Sequence, residues 1–416
     1  MKILLVGSGG REHALARALV AGTTHELYCA PGNAGTAALG KNLNLDQNDG
    51  EAIAAWAADN QVELVVIGPE APLIAGVGDA VRAAGIPVFG PTAAAARLEG
   101  SKAFAKEIMA EAGVATAECF PCRTMDEVAR ALTAFQPPYV VKNDGLAAGK
   151  GVVVTDDISA ARAHAEACLA SAGGAVVIED YLEGPEVSLF CISDGKTVVP
   201  LEPAQDYKRA LDNNEGPNTG GMGAYSPLPW LPSGFVNEVV RDVAQPVIDT
   251  MAKRGTPFVG LLYCGLVQTA SGIKVIEFNA RFGDPETQVV LPRLETPLAE
   301  VIYAAAIGEL DTVPTLEWST QAAVGVVVAA EGYPSEPTLG GKIGGIAEAE
   351  MIEGVQVIIA GAKEDENRKL VVSGGRVLCV CALGDTVPDA RAKAYEAVDR
   401  ITLRRSHHRN DIASGI

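Results

Sequence analysis

Strand-length apolar runs and helical stretches alternate through the first hundred residues, and this alternation restricts the possible folds more than any other feature. Ile3 to Gly7, Glu26 to Ala30, Leu64 to Gly68 and Pro87 to Gly90 read as strands. Helical stretches at Arg11 to Ala21, Glu51 to Asn60 and Ile74 to Ala84 separate them. Such a pattern builds a parallel sheet with crossover helices. A chain of 416 residues also outgrows a single core, so several domains are expected.

Beyond residue 100 the pattern changes. A helical period runs from Ser101 to Ala112, and Thr124 with Glu127 forms a capping box ahead of Val128 to Phe135. Tyr139 to Lys142 and Val152 to Thr155 are strands flanking the glycine-rich piece Gly145 to Gly151, which reads as a mobile hairpin loop. Pro203 to Pro232 loses periodicity inside a compact chain, and long loops of this kind are usually functional. Phe235 to Lys253 and Leu298 to Ala306 are helical, and Leu261 to Gln268 with Lys274 to Asn279 form a hairpin. Past Thr320, Val-rich strands and glycine turns suggest a separate C-terminal domain.

A net charge of −19 works against contact with nucleic acid or anionic membrane, and no apolar stretch approaches a membrane span. We therefore expect a cytoplasmic protein. Eight scattered cysteines suit a reducing compartment; Cys119 and Cys122 form a CxxC pair, but no second pair or nearby histidine completes a zinc site.

Four segments have the residue types that phosphate chemistry needs. Gly7 to Arg11 follows a strand and opens a helix, where backbone N–H groups can hold a phosphate; a nicotinamide fingerprint lacks its third glycine, and a plain tight turn is the remaining alternative. Gly68, Pro69 and Glu70 close a second strand at the same sheet edge. Val141 to Val152 supplies Lys142, Lys150 and glycines for close approach to a polyphosphate, yet it is not a Walker A loop because Gly151 stands where that motif needs Ser or Thr. The alternative there is a flexible hairpin with a solvated lysine. Glu179 to Glu186 offers backbone groups for adenine and Glu186 for a ribose diol, or is simply an acidic turn. Glu277 and Asn279 share one face of a strand, giving two hard oxygen ligands suited to magnesium, with Arg281 two positions on; an exposed ion pair at a strand end is the alternative.

Taken together, the phrases GSGGREHALA from Gly7, APGNAGT from Ala30, GPEAPL from Gly68, GSKAFAK from Gly100, DGLAAGKGV from Asp144, GPNTGGMGAYSP from Gly216 and EFNARFGDPETQ from Glu277 resemble the ATP-grasp ligases. Within them the chain is similar to the phosphoribosylamine–glycine ligase family over nearly its whole length. The resemblance implies an N-terminal parallel α/β domain over 1–101, an ATP-grasp domain over 102–320 with a mobile lid near 115–188, and a small β-rich domain over 321–416. It implies ATP held by Lys102, Lys142, Gly149, Lys150, Gly151, Glu179, Asp180, Tyr181, Leu182 and Glu186. Magnesium or manganese falls to Glu277 and Asn279, and catalysis to Arg281 and Asp284. Glycine and 5-phosphoribosylamine fall to Gly9, Gly10, Arg11, Glu12, Asn33, Glu70, Asp212, Thr219, Gly220 and Gly221. The implied reaction is the ATP-driven joining of those two substrates, in a free-standing enzyme that is a monomer or weak homodimer. Two departures stand out. Tyr263 to Leu266 carry no metal carboxylate, and Asn143 replaces the usual Ala or Asp. A carboxylase of the same superfamily and a nonenzymatic nucleotide sensor are the alternative functions.

Overall fold

The computed structural model describes residues 1–146, 151–171 and 173–416. The expected parallel sheet is present, in the order Lys41–Asn42, Glu26–Pro31, Lys2–Gly7, Leu64–Ile67, Val88–Phe89. The central strand Lys2–Gly7 is apolar on both faces because helices cover both, so Ile3 and Leu5 enter one core cluster while Leu4 and Val6 enter another. Its carboxyl end opens at Gly7.

Two antiparallel sheets follow. Cys119–Cys122, Val176–Glu179, Tyr139–Asn143 and Val152–Thr155 form a small four-stranded sheet. Together with the helices Met125–Ala134 and Ile158–Leu169 it closes a core of its own, built on Val128, Leu132, Val141, Ala161 and Ile178. The first of these helices opens on the expected capping box of Thr124 and Glu127. The larger sheet runs Val198–Pro200, Glu186–Asp194, Val259–Thr269, Gly272–Asn279.

A fourth sheet runs Gln205–Asp206, Gly223–Ser226, Ala322–Ala329, Arg376–Gly384, Val355–Ile359, antiparallel throughout. Its first two strands come from the stretch that lacks periodicity in the sequence, so this region is pinned by pairing with Ala322–Ala329 rather than by local pattern. Among the described residues no helix is long and apolar enough to cross a membrane.

The N-terminal and C-terminal sheets meet through His13, whose buried Nδ1 accepts the Ile359 N–H at 2.8 Å. Burial, with Arg17 adding to it, pushes this imidazole down to about 4 from an ordinary 6.5. The unfolded chain therefore binds the extra proton, so the contribution is intact above about pH 6.5 and is lost as pH falls toward 4. We expect about 3 kcal/mol of stability to disappear over that window, and His13→Gln, whose amide oxygen also accepts an N–H, to remove that part of the pH dependence. Urea unfolding at pH 7 and pH 4.5 measures both; an identical pH slope in the two proteins would refute the assignment.

Candidate active site

At the edge of the N-terminal sheet the backbone turns over a buried carboxylate. Gly7 has φ +128°, and a Cβ there would lie 2.5 Å from the Glu12 side chain, so the turn requires glycine. Glu12 accepts the Gly9 N–H at 2.5 Å and the Arg11 Nε–H at 2.6 Å. Arg11 also donates to the Phe282 carbonyl at 3.1 Å. The charged groups of Arg11 and Glu12 thus face one another inside the protein instead of facing open space, and they shape the turn. Asn33 braces the same turn, donating to the carbonyls of Ser8 at 2.9 Å and of Gly9 and Ile359 at 3.1 Å. Gly9, Gly10 and Asn33 line a cavity of about 700 Å³ together with Asp284, Lys363 and Arg376.

The residues expected to bind ATP come together where Lys142 of the small sheet reaches the Ile276 carbonyl of the larger one. The Lys142 ammonium lies 2.7 Å from Glu179 and donates to the Ile276 carbonyl at 3.1 Å. Lys106 approaches the other Glu179 oxygen at 3.3 Å. All three side chains are buried. Burial pulls the Lys106 ammonium down, against Glu179, with Lys142 adding to the pull. Lys102 donates to the Gly145 carbonyl at 3.1 Å, so the helix Lys102–Ala112 touches the start of the glycine-rich piece. Gly151 is buried and its carbonyl accepts the Asn143 N–H at 2.7 Å. Gly149 and Lys150 lie outside the described residues. Asp180 and Tyr181 are exposed and Leu182 half-buried, in the link between Val176–Glu179 and Glu186–Asp194.

Glu277 is the electrostatic centre. It stands on Gly272–Asn279 opposite Gly265, and Phe278 turns into the core, which leaves Glu277 and Asn279 on the other face. Burial alone would raise its carboxyl. Lys208, Lys142, Lys102 and Arg281 outweigh it and hold the group below the usual carboxylate range. An ionised carboxylate beside an amide oxygen on one face is a donor set that fits a hard divalent cation sharing its shell with phosphate. Among the described residues no group of three or more His, Cys, Asp or Glu side chains forms a metal site by itself.

The strand ends at Asn279, so Arg281 does not continue that face; its guanidinium turns to Glu99 at 2.9 Å and Glu70 at 3.2 Å. Burial opposes the Glu70 charge, but Arg281 and Arg11 hold this carboxyl below its usual range. Asp284 behaves alike, with Arg376 and then Arg11 overcoming burial. Arg376 lies 3.3 Å from the Asp284 carboxylate and donates to the Gly220 carbonyl at 2.5 Å and the Asp284 carbonyl at 2.6 Å, which clamps the Thr219 to Gly221 turn against Gly283 to Pro285. Thr219 is buried and donates to the Lys208 carbonyl at 2.8 Å, and the Gly221 N–H returns to Thr219 at 3.0 Å. Asp212 is the exception: its carboxylate accepts both the Asn410 N–H at 2.7 Å and the Asn410 amide at 2.9 Å, tying it to segment 407–413 instead of to this group.

Sequence reasoning missed several members. Lys208 is paired with Glu186, so the expected ribose ligand has a cation on it. Buried Glu286 accepts from Tyr263 at 2.9 Å and Ser188 at 3.0 Å, and burial, against Lys208 and with Glu286 and Glu186 adding to it, pushes nearby Asp206 up to about 7. Lys208 had one available signal, an unusually basic pair with Arg209 inside the loop; Glu99 and Arg376 had none.

A parallel α/β sheet followed by two antiparallel sheets, with Lys142 beside Glu277 and further cations lowering that carboxyl, agrees with the ATP-grasp class of ligases. Models of phosphoribosylglycinamide synthetase match the chain in three pieces: the N domain over residues 1–99, the ATP-grasp (A) domain over 100–287 and the C domain over 323–415. The chain belongs to the phosphoribosylglycinamide synthetase family. It is 58% identical to the phosphoribosylamine–glycine ligase of Streptomyces coelicolor, covering 100% of this chain and 99% of that one. Identity to the ligase of Leifsonia xyli is 56%, with 100% of both chains covered. The solved phosphoribosylamine–glycine ligase of Thermotoga maritima matches with a TM-score of 0.86 at 33% identity, over 99% of this chain and 100% of that one.

Proposed function

We propose that the chain joins glycine to 5-phosphoribosylamine at the expense of ATP, giving glycinamide ribonucleotide, ADP and phosphate, as one step of purine synthesis. The observation that carries this reading is the gathering of Lys102, Lys142, Lys208 and Arg281 around Glu277, from four distant stretches of chain. A triphosphate needs that density of positive charge, and a carboxylate in its midst needs a cation to share.

In this reading a glycine carboxylate oxygen attacks the γ-phosphorus and ADP leaves; the amine nitrogen of phosphoribosylamine then attacks the carbonyl carbon and phosphate leaves. Lys102 and Lys142 hold the phosphates, with Gly149, Lys150 and Gly151 among the ATP-binding residues, while Glu179 to Leu182 and Glu186 surround the nucleoside. Glu277 and Asn279 would hold magnesium or manganese, which when bound neutralises phosphate charge. Arg281 steadies the equatorial phosphoryl oxygens. Asp284, Glu70 and the turns at Gly9, Asn33 and Thr219 to Gly221 frame the cavity where the amine and glycine sit. The domain division at residues 101 and 320, a cytoplasmic location and a monomer or weak homodimer belong to the same reading; eight free cysteines support the reducing compartment.

ADP release measured with ATP, glycine and phosphoribosylamine, and then with each omitted, tests it. Full turnover is expected only with all three present. ADP formed without glycine would favour a bicarbonate-using relative, and none formed with every component would favour a nucleotide sensor.

A further inference from the structure

The helix Ala93–Gly100 ends one residue before the helix that carries Lys102, and its Glu99 is buried. A carboxylate taken out of water this far must be fully hydrogen-bonded to persist. Glu99 commits one oxygen to the Arg281 guanidinium at 2.9 Å and the other to the Ala280 N–H at 2.8 Å. The ion pair and the hydrogen bond fall on the two residues that follow Asn279. The end of the Glu277 strand and the direction of the arginine are therefore set by one side chain. Glu70 holds Nε of Arg281 at 3.2 Å and the Phe282 carbonyl holds Nη1 at 3.3 Å, so the fork is gripped on three sides. Among the described residues Nε and Nη1 make the hydrogen bonds of this guanidinium and Nη2 meets Glu99 as an ion pair, which leaves donor capacity on both terminal nitrogens.

Resting on the reading of Arg281 given above, we infer that Glu99 is a positioning residue: it aims the guanidinium at the transferring phosphoryl group and fixes it relative to Lys102, three residues further along the chain. Guanidinium stabilisation works only when the planar fork is aligned, so a misaligned arginine loses its effect while keeping its charge.

A double-mutant cycle of Glu99→Gln and Arg281→Ala, read by ADP release at saturating substrates with phosphoribosylamine supplied from ribose 5-phosphate and ammonia, tests this. Glu99→Gln alone should lower kcat by roughly tenfold or more, with KM for ATP changed less than about threefold. In the Arg281→Ala background the same change should have no further effect, because the residue acts through the arginine. Added guanidinium should restore part of the Arg281→Ala rate, and at least about tenfold more guanidinium should be required once Glu99 is Gln. Equal losses in both backgrounds, or equal guanidinium affinity, would overturn the positioning role and leave Arg281 untouched. A normal rate in Arg281→Ala would overturn the role of the arginine and, with it, that of Glu99. If Glu99→Gln fails to fold, Glu99→Asp in the same cycle keeps the charge but shortens the reach; it should show the same non-additivity, and additivity there counts against the proposal.

Discussion

Glu277→Gln should turn over at least about a hundredfold more slowly than the wild type while melting within about 3 °C of it. The amide keeps the shape and one oxygen ligand, so packing on the Gly272–Asn279 strand is undisturbed. The charge is what disappears. Lys208, Lys142, Lys102 and Arg281 then lose one shared anion, although Lys142 keeps Glu179, Lys208 keeps Glu186 and Arg281 keeps Glu99 and Glu70. Nucleotide phosphates bring their own negative charge, so ATP affinity should change little. The divalent ion, however, loses its only charged protein ligand in the proposed site, and its half-saturating concentration should rise. ADP release titrated with magnesium checks both parts. A near-normal rate at saturating magnesium would remove Glu277 from the site.

Lys142→Met is expected to reduce kcat/KM for ATP by at least about a hundredfold and to destabilise the fold by about 1 to 3 kcal/mol. The two effects have different sources. Catalytic loss follows from removing a buried cation that reaches both Glu179 and the backbone beside Glu277. The stability loss stays moderate because Lys106 remains 3.3 Å from Glu179, so that carboxylate is not stranded. Lys106 also gains, since the like charge that lowers its affinity for a proton is gone. Thermal melting alongside steady-state kinetics separates them. A stability loss with unchanged kinetics would make Lys142 a purely structural partner of Glu179.

Much of the fold was legible because its signals are local. The short apolar run at Tyr139 to Lys142, each strand-length and helical stretch before residue 100, and the Thr124 capping box are each set by residues close together in the chain. The helix Ala93–Gly100 escaped notice because the run AAAARLEG has no contrast between an apolar and a polar face. The stretch from Pro203 to Pro232 escaped for another reason: the partner that makes Gly223–Ser226 a strand is Ala322–Ala329, nearly a hundred positions away. The site divides in the same manner. Glu277 and Asn279 could be paired by strand geometry alone, whereas Glu99 meets Ala280 across 181 positions and Arg376 meets Asp284 across 92. Arg11 and Glu12 show the opposite hazard, since a phosphate-turn pattern does not reveal that its charged residues neutralise each other inside.

The pairing of Gln205–Asp206 and Gly223–Ser226 next to Ala322–Ala329 means that the first two strands at one edge of this sheet are borrowed from the same stretch of chain that places Lys208. Severing the polypeptide near residue 320 would not release a self-sufficient module; it would bare a row of backbone donors and acceptors along Ala322–Ala329. The last hundred residues thus complete their sheet only with strands supplied from the middle of the chain.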